Sequence, residues 1–270
     1  VQALDYVNKK VVVVENASTD GTATVVQSQF PHVDLIPLAK NLGAAASSNA
    51  GFDYALSKGA DFVLRLDSDT VLATDFLTRL VQAAQTGANT GVVVGKIYYH
   101  ADPHRIWSLG ARRTSWLYST AELARDQLDG PAYEQVQEID YAWSTGMLLS
   151  RQALIATKGF DSDFFVYYEE MDLCERIRAA GLRLYSIPTA KMWHKIGTLN
   201  RSRWVAHNWA RGKMLFFRKH SRGLHRFTLI LYAYAYAIFR TIRPKQNAGN
   251  RGPLTAALSG LTAGLRTSLK

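Results

Sequence analysis

Two hydrophobic periods alternate along the first 190 residues. Short, continuous apolar runs read as strands buried in a sheet, and longer stretches with helical spacing lie between them. The runs are Lys10–Val14, Val33–Pro37, Phe62–Leu66, Gly91–Ile97, Trp143–Ser150 and Leu182–Ile187, the last ended by Pro188. Val1–Val7 reads as the end of a helix. Further helices are expected over Gly21–Phe30 with Ser18 as N-cap, Asn41–Leu56, Asp75–Gln85, Gln152–Lys158, and Met171–Ala180 stopped by Gly181. This alternation predicts an α/β fold with a mostly parallel sheet flanked by helices. Ligands of such sheets bind beyond the carboxyl ends of strands, where Glu15 and Asp67 sit. Residues 98–140 hold neither period for long and read as an insertion over that end. The C-terminal part is helical throughout. Trp204–His220 has helical spacing, Phe227–Phe239 is apolar on every face, and Leu254, Leu258, Leu261, Leu265 and Leu269 recur at helical intervals.

Composition changes this picture in three places. The single cysteine, Cys174, excludes an internal disulfide framework and a multi-cysteine zinc site. No apolar run reaches the roughly 18–20 residues that span a bilayer. The charge is partitioned: residues 1–175 hold 13 Lys/Arg and all 22 Asp/Glu, whereas residues 176–270 hold 19 Lys/Arg and no carboxylate. A long segment without one acid predicts a surface that meets something anionic. A solvated basic tail is the plainer reading, and the aromatic content of the segment argues against it.

Three clusters carry candidate chemistry. In Leu66-Asp67-Ser68-Asp69, two carboxylates one residue apart at a strand end point to one side and can share a hard cation, Mg2+ or Mn2+. The alternative is that Asp69 caps the following helix. In Tyr168-Glu169-Glu170-Met171-Asp172, three carboxylates lie at a helix start, where the macrodipole alone favours acids. The aromatic run Phe164–Tyr168 ahead of them predicts a pocket that raises one carboxyl pKa into the range of a general base. His194, in Lys191-Met192-Trp193-His194-Lys195, reads as a structural histidine or as a third ligand for Mn2+.

The order of these segments resembles the family 2 glycosyltransferases, nucleotide-sugar enzymes with the fold called GT-A. The matching pieces are VVVENASTDGT (12–22), NLGAAASSNAG (41–51), DFVLRLDSDT (61–70), STGMLLSRQAL (144–154), GFDSDFFVYYEEMDLCERIRAAG (159–181) and IPTAKMWHKIG (187–197). The rhamnosyltransferase-like branch, which decorates polysaccharides or lipid-linked glycans, is the most similar in flavour. The resemblance implies that Glu15 lies at the nucleoside, that Asn16 belongs to the nucleotide-sugar site, and that Asn41, Gly43 and Asn49 lie in the loop near the nucleotide. It implies that Asp69 is the main metal ligand, that Asp67 reaches ribose or metal, and that His194 is a metal-proximal histidine. Gly146 would allow close approach of the donor sugar. Glu170 falls on the catalytic-base position, where the family usually carries Asp, so Glu169 and Asp172 stay in contention.

The resemblance also implies an inverting transfer. A divalent cation, Mn2+ or Mg2+, neutralises the diphosphate of a UDP-, dTDP- or GDP-linked sugar, and a carboxylate deprotonates the hydroxyl of a glycan or lipid-linked acceptor. Residues 1–200 would form the nucleotide-sugar-binding domain, and residues 201–270 a basic C-terminal helical extension at a membrane surface or an oligomer contact, with a homodimer left open. A peripheral position on the cytoplasmic face of the membrane is expected, with no nucleic-acid partner. Competing readings are a non-catalytic glycan-binding subunit, a sugar nucleotidyltransferase and a retaining transferase. The family begins with an apolar strand and a helix. This chain starts at Val1 inside that helix, with no signal peptide, so the strand is expected to be missing and Lys10–Val14 to be an edge or unusually paired.

Overall fold

A computed structural model describes residues 1–87, 89–195, 202–242 and 252–269. Two strands open the chain, β1 (Val12–Glu15) and β2 (Asp34–Pro37), with helix α1 (Thr22–Gln29) between them. Helix α2 (Gly43–Ser57), β3 (Phe62–Arg65), β4 (Thr70–Leu72), α3 (Phe76–Thr86) and β5 (Thr90–Tyr99) follow. Residues 98–140 fold into short antiparallel pieces: β6 (Asp102–Ser108), β7 (Ala111–Arg113), β8 (Thr120–Glu122) and β9 (Gln137–Ile139). Then come β10 (Met147–Ser150), α4 (Arg151–Thr157), α5 (Glu169–Ala179) and β11 (Arg183–His194). Helices α6 (Arg203–His220), α7 (Gly223–Ile242) and α8 (Gly252–Arg266) complete the described chain.

The main sheet has the order β3-β10-β5-β11-β4, with β6 also on β5 and β9 also on β11. β5 and β11 are parallel; β10 is antiparallel to both β3 and β5, so β3, β5 and β11 run in one sense. β5 is buried almost along its length, as its Val-rich sequence requires. β1 pairs only with β2, in parallel, as a separate two-stranded sheet. Helix α2 packs on both β1 and β3.

Three expectations are corrected. Val1–Val7 is not helical: Asp5 N–H donates to the Thr74 carbonyl, and Leu4 is buried beside Phe76 and Leu80 of α3. A seven-residue segment has too little helix to resist such tertiary contacts. The residue ahead of α1 is Gly21 in the left-handed region, not Ser18, whose N–H is held by Glu15. Pro188 does not end its strand. β11 continues to His194 across a register shift, with Ile187 opposite Gly95 and Lys191 opposite Lys96. The bulge takes up the missing proline N–H. Gly95 leaves room for it, because a Cβ there would lie 2.5 Å from the Ala190 carbonyl oxygen.

The C-terminal helices are part of the core. Met214, Leu215, Phe216 and Phe217 of α6 share one buried cluster with Leu173, Cys174 and Ile177 of α5 and Leu149 of β10. Helix α8 lies against α6 through Gly260 and Gly264, where a Cβ would strike the His207 and Arg211 carbonyls. The leucine spacing of the last helix therefore serves packing.

Candidate active site

The long β11 builds one side of the site. His194 is in register with Thr70 of β4, which sets its ring beside the residue before that strand. His194 Nε2 lies 3.0 Å from Asp69 Oδ1. Asp67, Asp69 and His194 each offer one atom, and these atoms lie within 4.8 Å of one another. Asp69 precedes a strand rather than a helix, so the capping alternative falls away. Two carboxylates and an imidazole form a donor set suited to Mn2+, and to Mg2+ less well because of the nitrogen. The other ring nitrogen, Nδ1, is buried without a hydrogen-bond partner, and Trp107 of β6 meets the ring edge-on at 5.3 Å. The irregular 98–140 segment thus walls the site, as its placement implied.

Sequence reasoning passed over Arg65. Its Nη1 lies 2.5 Å from Asp67 Oδ1, and the side chain is mostly buried. Its charge also bears on Glu169 and Glu170, where it opposes the pKa rise that burial causes. The available signal was a cation inside an apolar strand, two residues before Asp67 and so on the same face.

Glu169 and Glu170 begin α5, after Tyr167 and Tyr168, both in the left-handed region (φ 67 and 71). Each carboxyl group has a buried Oε2 with no hydrogen-bond partner. Burial, and then the charge of Glu170, push Glu169 up to about 9. Burial raises Glu170 as well, while its contact with Glu169 opposes the rise. The charge of Asp67 also raises Glu170, so Glu170 lies within electrostatic reach of that carboxylate.

Asp172 differs in kind. It is fully buried and accepts from Arg176 Nε at 2.8 Å and His220 Nε2 at 2.8 Å, with Lys219 Nζ at 2.9 Å. Burial opposes ionisation, but His220, Arg176 and Lys219 together hold its pKa down to about 2. A carboxylate so tightly held is a poor proton acceptor; it fastens the end of α6 to α5. Because its folded pKa lies below the ordinary 3.8, its contribution is present above that value and is lost as pH falls through about 2. Asp172→Asn removes the anion shared by the half-buried Arg176, Lys219 and His220, of which Lys219 keeps Asp161 as a partner, and an expected loss of about 1–3 kcal/mol is read from urea midpoints at pH 7.

The remaining expected residues cluster around the loops. Glu15 accepts from the N–H groups of Ala17 and Ser18, and the Ser18 hydroxyl followed by these N–H groups lowers its pKa, so its carboxylate shapes its own turn. Asn16 donates to Asn41 Oδ1 at 3.0 Å and accepts from Leu42 N–H, joining the two loops. Gly43 has φ 78, and a Cβ there would lie 2.3 Å from the Phe165 carbonyl oxygen, so only glycine lets α2 start against the Phe164–Tyr168 run. Gly146 donates to the Arg65 carbonyl at 3.0 Å and packs under Met192, where a Cβ would lie 2.4 Å from sulfur. Asn49 is elsewhere: its amide exchanges two 2.8 Å bonds with the backbone of Phe160 and acts as a clamp between α2 and the chain before α5. Ile196 and Gly197 of the last matching piece lie outside the described residues.

A family described as glycosyl transferase family 2 matches residues 1–156. The dTDP-rhamnosyl transferase RfbF of Shigella flexneri is 24% identical over 190 residues, 70% of this chain and 61% of the relative. The N-acetylglucosaminyl-diphospho-decaprenol L-rhamnosyltransferase of Mycobacterium tuberculosis (strain ATCC 25618 / H37Rv) is 25% identical over 210 residues, 68% of this chain and 66% of the relative. The chain thus spans under two thirds of the length of these relatives. Among solved structures, GalNAc-T7 with UDP, GalNAc and Mn2+ superposes with a TM-score of 0.59 at 14% identity, over 84% of this chain and 44% of that one. Staphylococcus aureus TarS 1–349 gives 0.55 at 13% identity, over 98% and 74%. These two likenesses are of fold alone.

Proposed function

The chain belongs to glycosyl transferase family 2, and from that premise we propose that it transfers a sugar, with inversion, from a nucleoside-diphosphate donor to a hydroxyl of a glycan or lipid-linked acceptor. The observation that carries this reading is the Asp67, Asp69 and His194 group, with Glu169 and Glu170, each with a buried unpartnered oxygen, near enough for the charges of Arg65 and Asp67 to act on Glu170. The names of the relatives favour a dTDP-linked rhamnose donor and a lipid diphosphate-linked acceptor. Residues 1–200 act as the donor-binding domain, and residues 201–270 as its basic helical extension.

A divalent cation held by Asp67, Asp69 and His194 would neutralise the diphosphate and improve it as a leaving group. Arg65 keeps Asp67 in place and adds positive charge beside the carboxylates. Burial raises the pKa of both carboxyls of this interacting pair, and a proton held on Glu169 would leave Glu170 without a like-charged neighbour. Glu170 is then the group that takes the proton of the acceptor hydroxyl as its oxygen attacks the anomeric carbon. One base and one in-line displacement need no carboxylate nucleophile, unlike a retaining hydrolase. Glu15, Asn16, Asn41 and Gly43 hold the loops that would receive the nucleotide. A screen of donor hydrolysis over dTDP-, UDP- and GDP-sugars with Mn2+ tests the reading. Hydrolysis of one of them is expected, and inertness toward all three refutes it.

Among the described residues no helix is long and apolar enough to cross a membrane. Helix α7 buries Leu229 and Ala233 and exposes Leu224, Phe227, Leu231 and Ile238 as one stripe. Arg222 and Arg226 lie at its start; the Arg240 side chain and Arg243 lie outside the described residues. An apolar stripe on a segment without acids suits the cytoplasmic leaflet, with about 1 kcal/mol per basic residue near an anionic surface. Co-sedimentation with anionic vesicles is expected, weakening with salt and with Phe227→Ser/Leu231→Ser. Equal recovery with neutral vesicles removes the charge argument, and unchanged recovery of the double variant removes the stripe.

A further inference from the structure

The hairpin of β7 and β8 stands apart from the main sheet. Two strands alone are marginal in water, so its place depends on what it is fastened to. Tyr118 is the fastening. Its hydroxyl donates to the His220 carbonyl at 2.5 Å, and its ring meets the Phe216 ring edge-on at 5.0 Å. Its backbone is left-handed (φ 56), a conformation that a tyrosine keeps only under such contacts. From the first turn of α7, His225 Nε2 donates to the Trp116 carbonyl at 2.8 Å. The hairpin tip is thus bound to the junction of α6 and α7.

That fastening decides what the tip presents. Tyr118 N–H donates to the Ser115 carbonyl at 3.1 Å, so Trp116 and Leu117 are the central pair of a tight turn. Leu117 packs on the core, while Trp116 is left 57% exposed. The Trp116 ring lies 5.2 Å from that of His225, and the residue before His225 is Leu224, 80% exposed. Leu224 begins the apolar stripe of α7, and Phe227 continues it. Two segments 109 residues apart in the chain therefore leave large apolar side chains in water beside each other, which marks a contact surface.

The charge around this surface has one sign. Residues 111–121 hold Arg112 and Arg113 and no acid, and the start of α7 is flanked by Arg222 and Arg226 with no acid after Glu175. Arg113 is engaged with Glu175, whereas Arg112 and Arg222 are exposed. An indole and aliphatic side chains among cations match an anionic bilayer interface, which takes the ring at head-group level and the cations against its phosphates. A second copy docking through the same face would set these arginines against themselves.

We infer that the hairpin of β7 and β8 is a membrane anchor, with Trp116 entering the head-group region of an anionic leaflet beside the first turn of α7. The inference rests on the reading, given above, that this part of the chain meets a membrane. It adds the point at which the segment walling the active site touches the bilayer. Six residues beyond Trp116, Glu122 accepts from Trp143 Nε1 at 3.1 Å, and Trp143 lies 6.5 Å from Trp107, the ring against His194. Six residues span about 20 Å at full stretch. The wall of the site therefore stands close above the leaflet, where a lipid-linked acceptor presents its hydroxyl.

The test uses the whole chain with vesicles of phosphatidylcholine and phosphatidylglycerol, with or without bromine on the upper acyl carbons, which quenches tryptophan on contact. Quenching of the bound protein is expected. Trp116→Phe, which keeps an aromatic anchor, is expected to remove most of the quenching and to bind within about threefold of wild type. Trp116→Ser is expected to weaken vesicle binding by about fivefold or more. Unchanged quenching in Trp116→Phe, or unchanged binding in Trp116→Ser, overturns the anchor, and co-sedimentation of either variant then leaves the α7 stripe standing. Phe227→Ser/Leu231→Ser binding like wild type, with quenching still lost in Trp116→Phe, refutes the stripe separately and supports the hairpin. A wild-type protein that ignores the vesicles overturns both. A solution dimer that Trp116→Ser dissociates, seen by light scattering, gives the face to a second copy and overturns the proposal. Should Trp116→Ser fail to fold by circular dichroism, the quenching of Trp116→Phe decides alone.

Discussion

Asp69→Ala is expected to lower Mn2+-dependent donor hydrolysis and sugar transfer by more than about 100-fold, since even residues behind a metal ligand change metal affinity by about 10–100-fold. The side chain is about half exposed, contributes little packing, and has His194 as its hydrogen-bond partner. Thermal unfolding should therefore stay within about 2 °C of wild type, as for surface substitutions away from the core. His194→Ala removes the nitrogen donor and should shift preference from Mn2+ toward Mg2+, because imidazole suits the former. The measurement is a metal titration of activity, with calorimetry for Mn2+ binding. An Asp69→Ala protein with wild-type activity at the same Mn2+ concentration means that the cluster does not hold the catalytic ion.

Glu170→Gln is the second large effect. The amide keeps the shape of the carboxyl group and cannot accept the proton, so turnover should fall by about 10²–10⁴ while donor and Mn2+ still bind. Glu169→Gln should behave differently. Burial and the charge of Glu170 raise the Glu169 pKa and favour its protonated form, and an amide can stand in for a neutral donor. Activity within about tenfold of wild type is expected there. Single-turnover rates beside nucleotide affinities separate chemistry from binding. If Glu169→Gln is dead and Glu170→Gln active, the roles are exchanged. Asp172→Asn does not enter this comparison cleanly, because its loss of stability, measured by urea unfolding, comes first.

The apolar runs and their spacing determined most of the strand and helix order, because burial on both faces of a strand demands β-branched runs such as Val92–Val94. The Asp67–Asp69 pair was legible too, since residues two apart on an extended chain share a side. Its joining to His194, 125 residues later, was outside the reach of spacing. It needed β11 to pass Pro188 through a bulge, and that bulge exists because Gly95 on the neighbouring strand leaves room. Likewise, Glu169, Glu170 and Asp172 were equivalent as letters. Only packing told them apart. The end of α6 brings Lys219 and His220 onto Asp172 and holds it ionised, while the buried start of α5 leaves one oxygen of each of the other two carboxyls without a partner and raises their pKa. Local sequence specified which groups are present and which face of an element they occupy. Their protonation depends on charges and desolvation supplied by segments far along the chain, and those are fixed only when the tertiary structure closes.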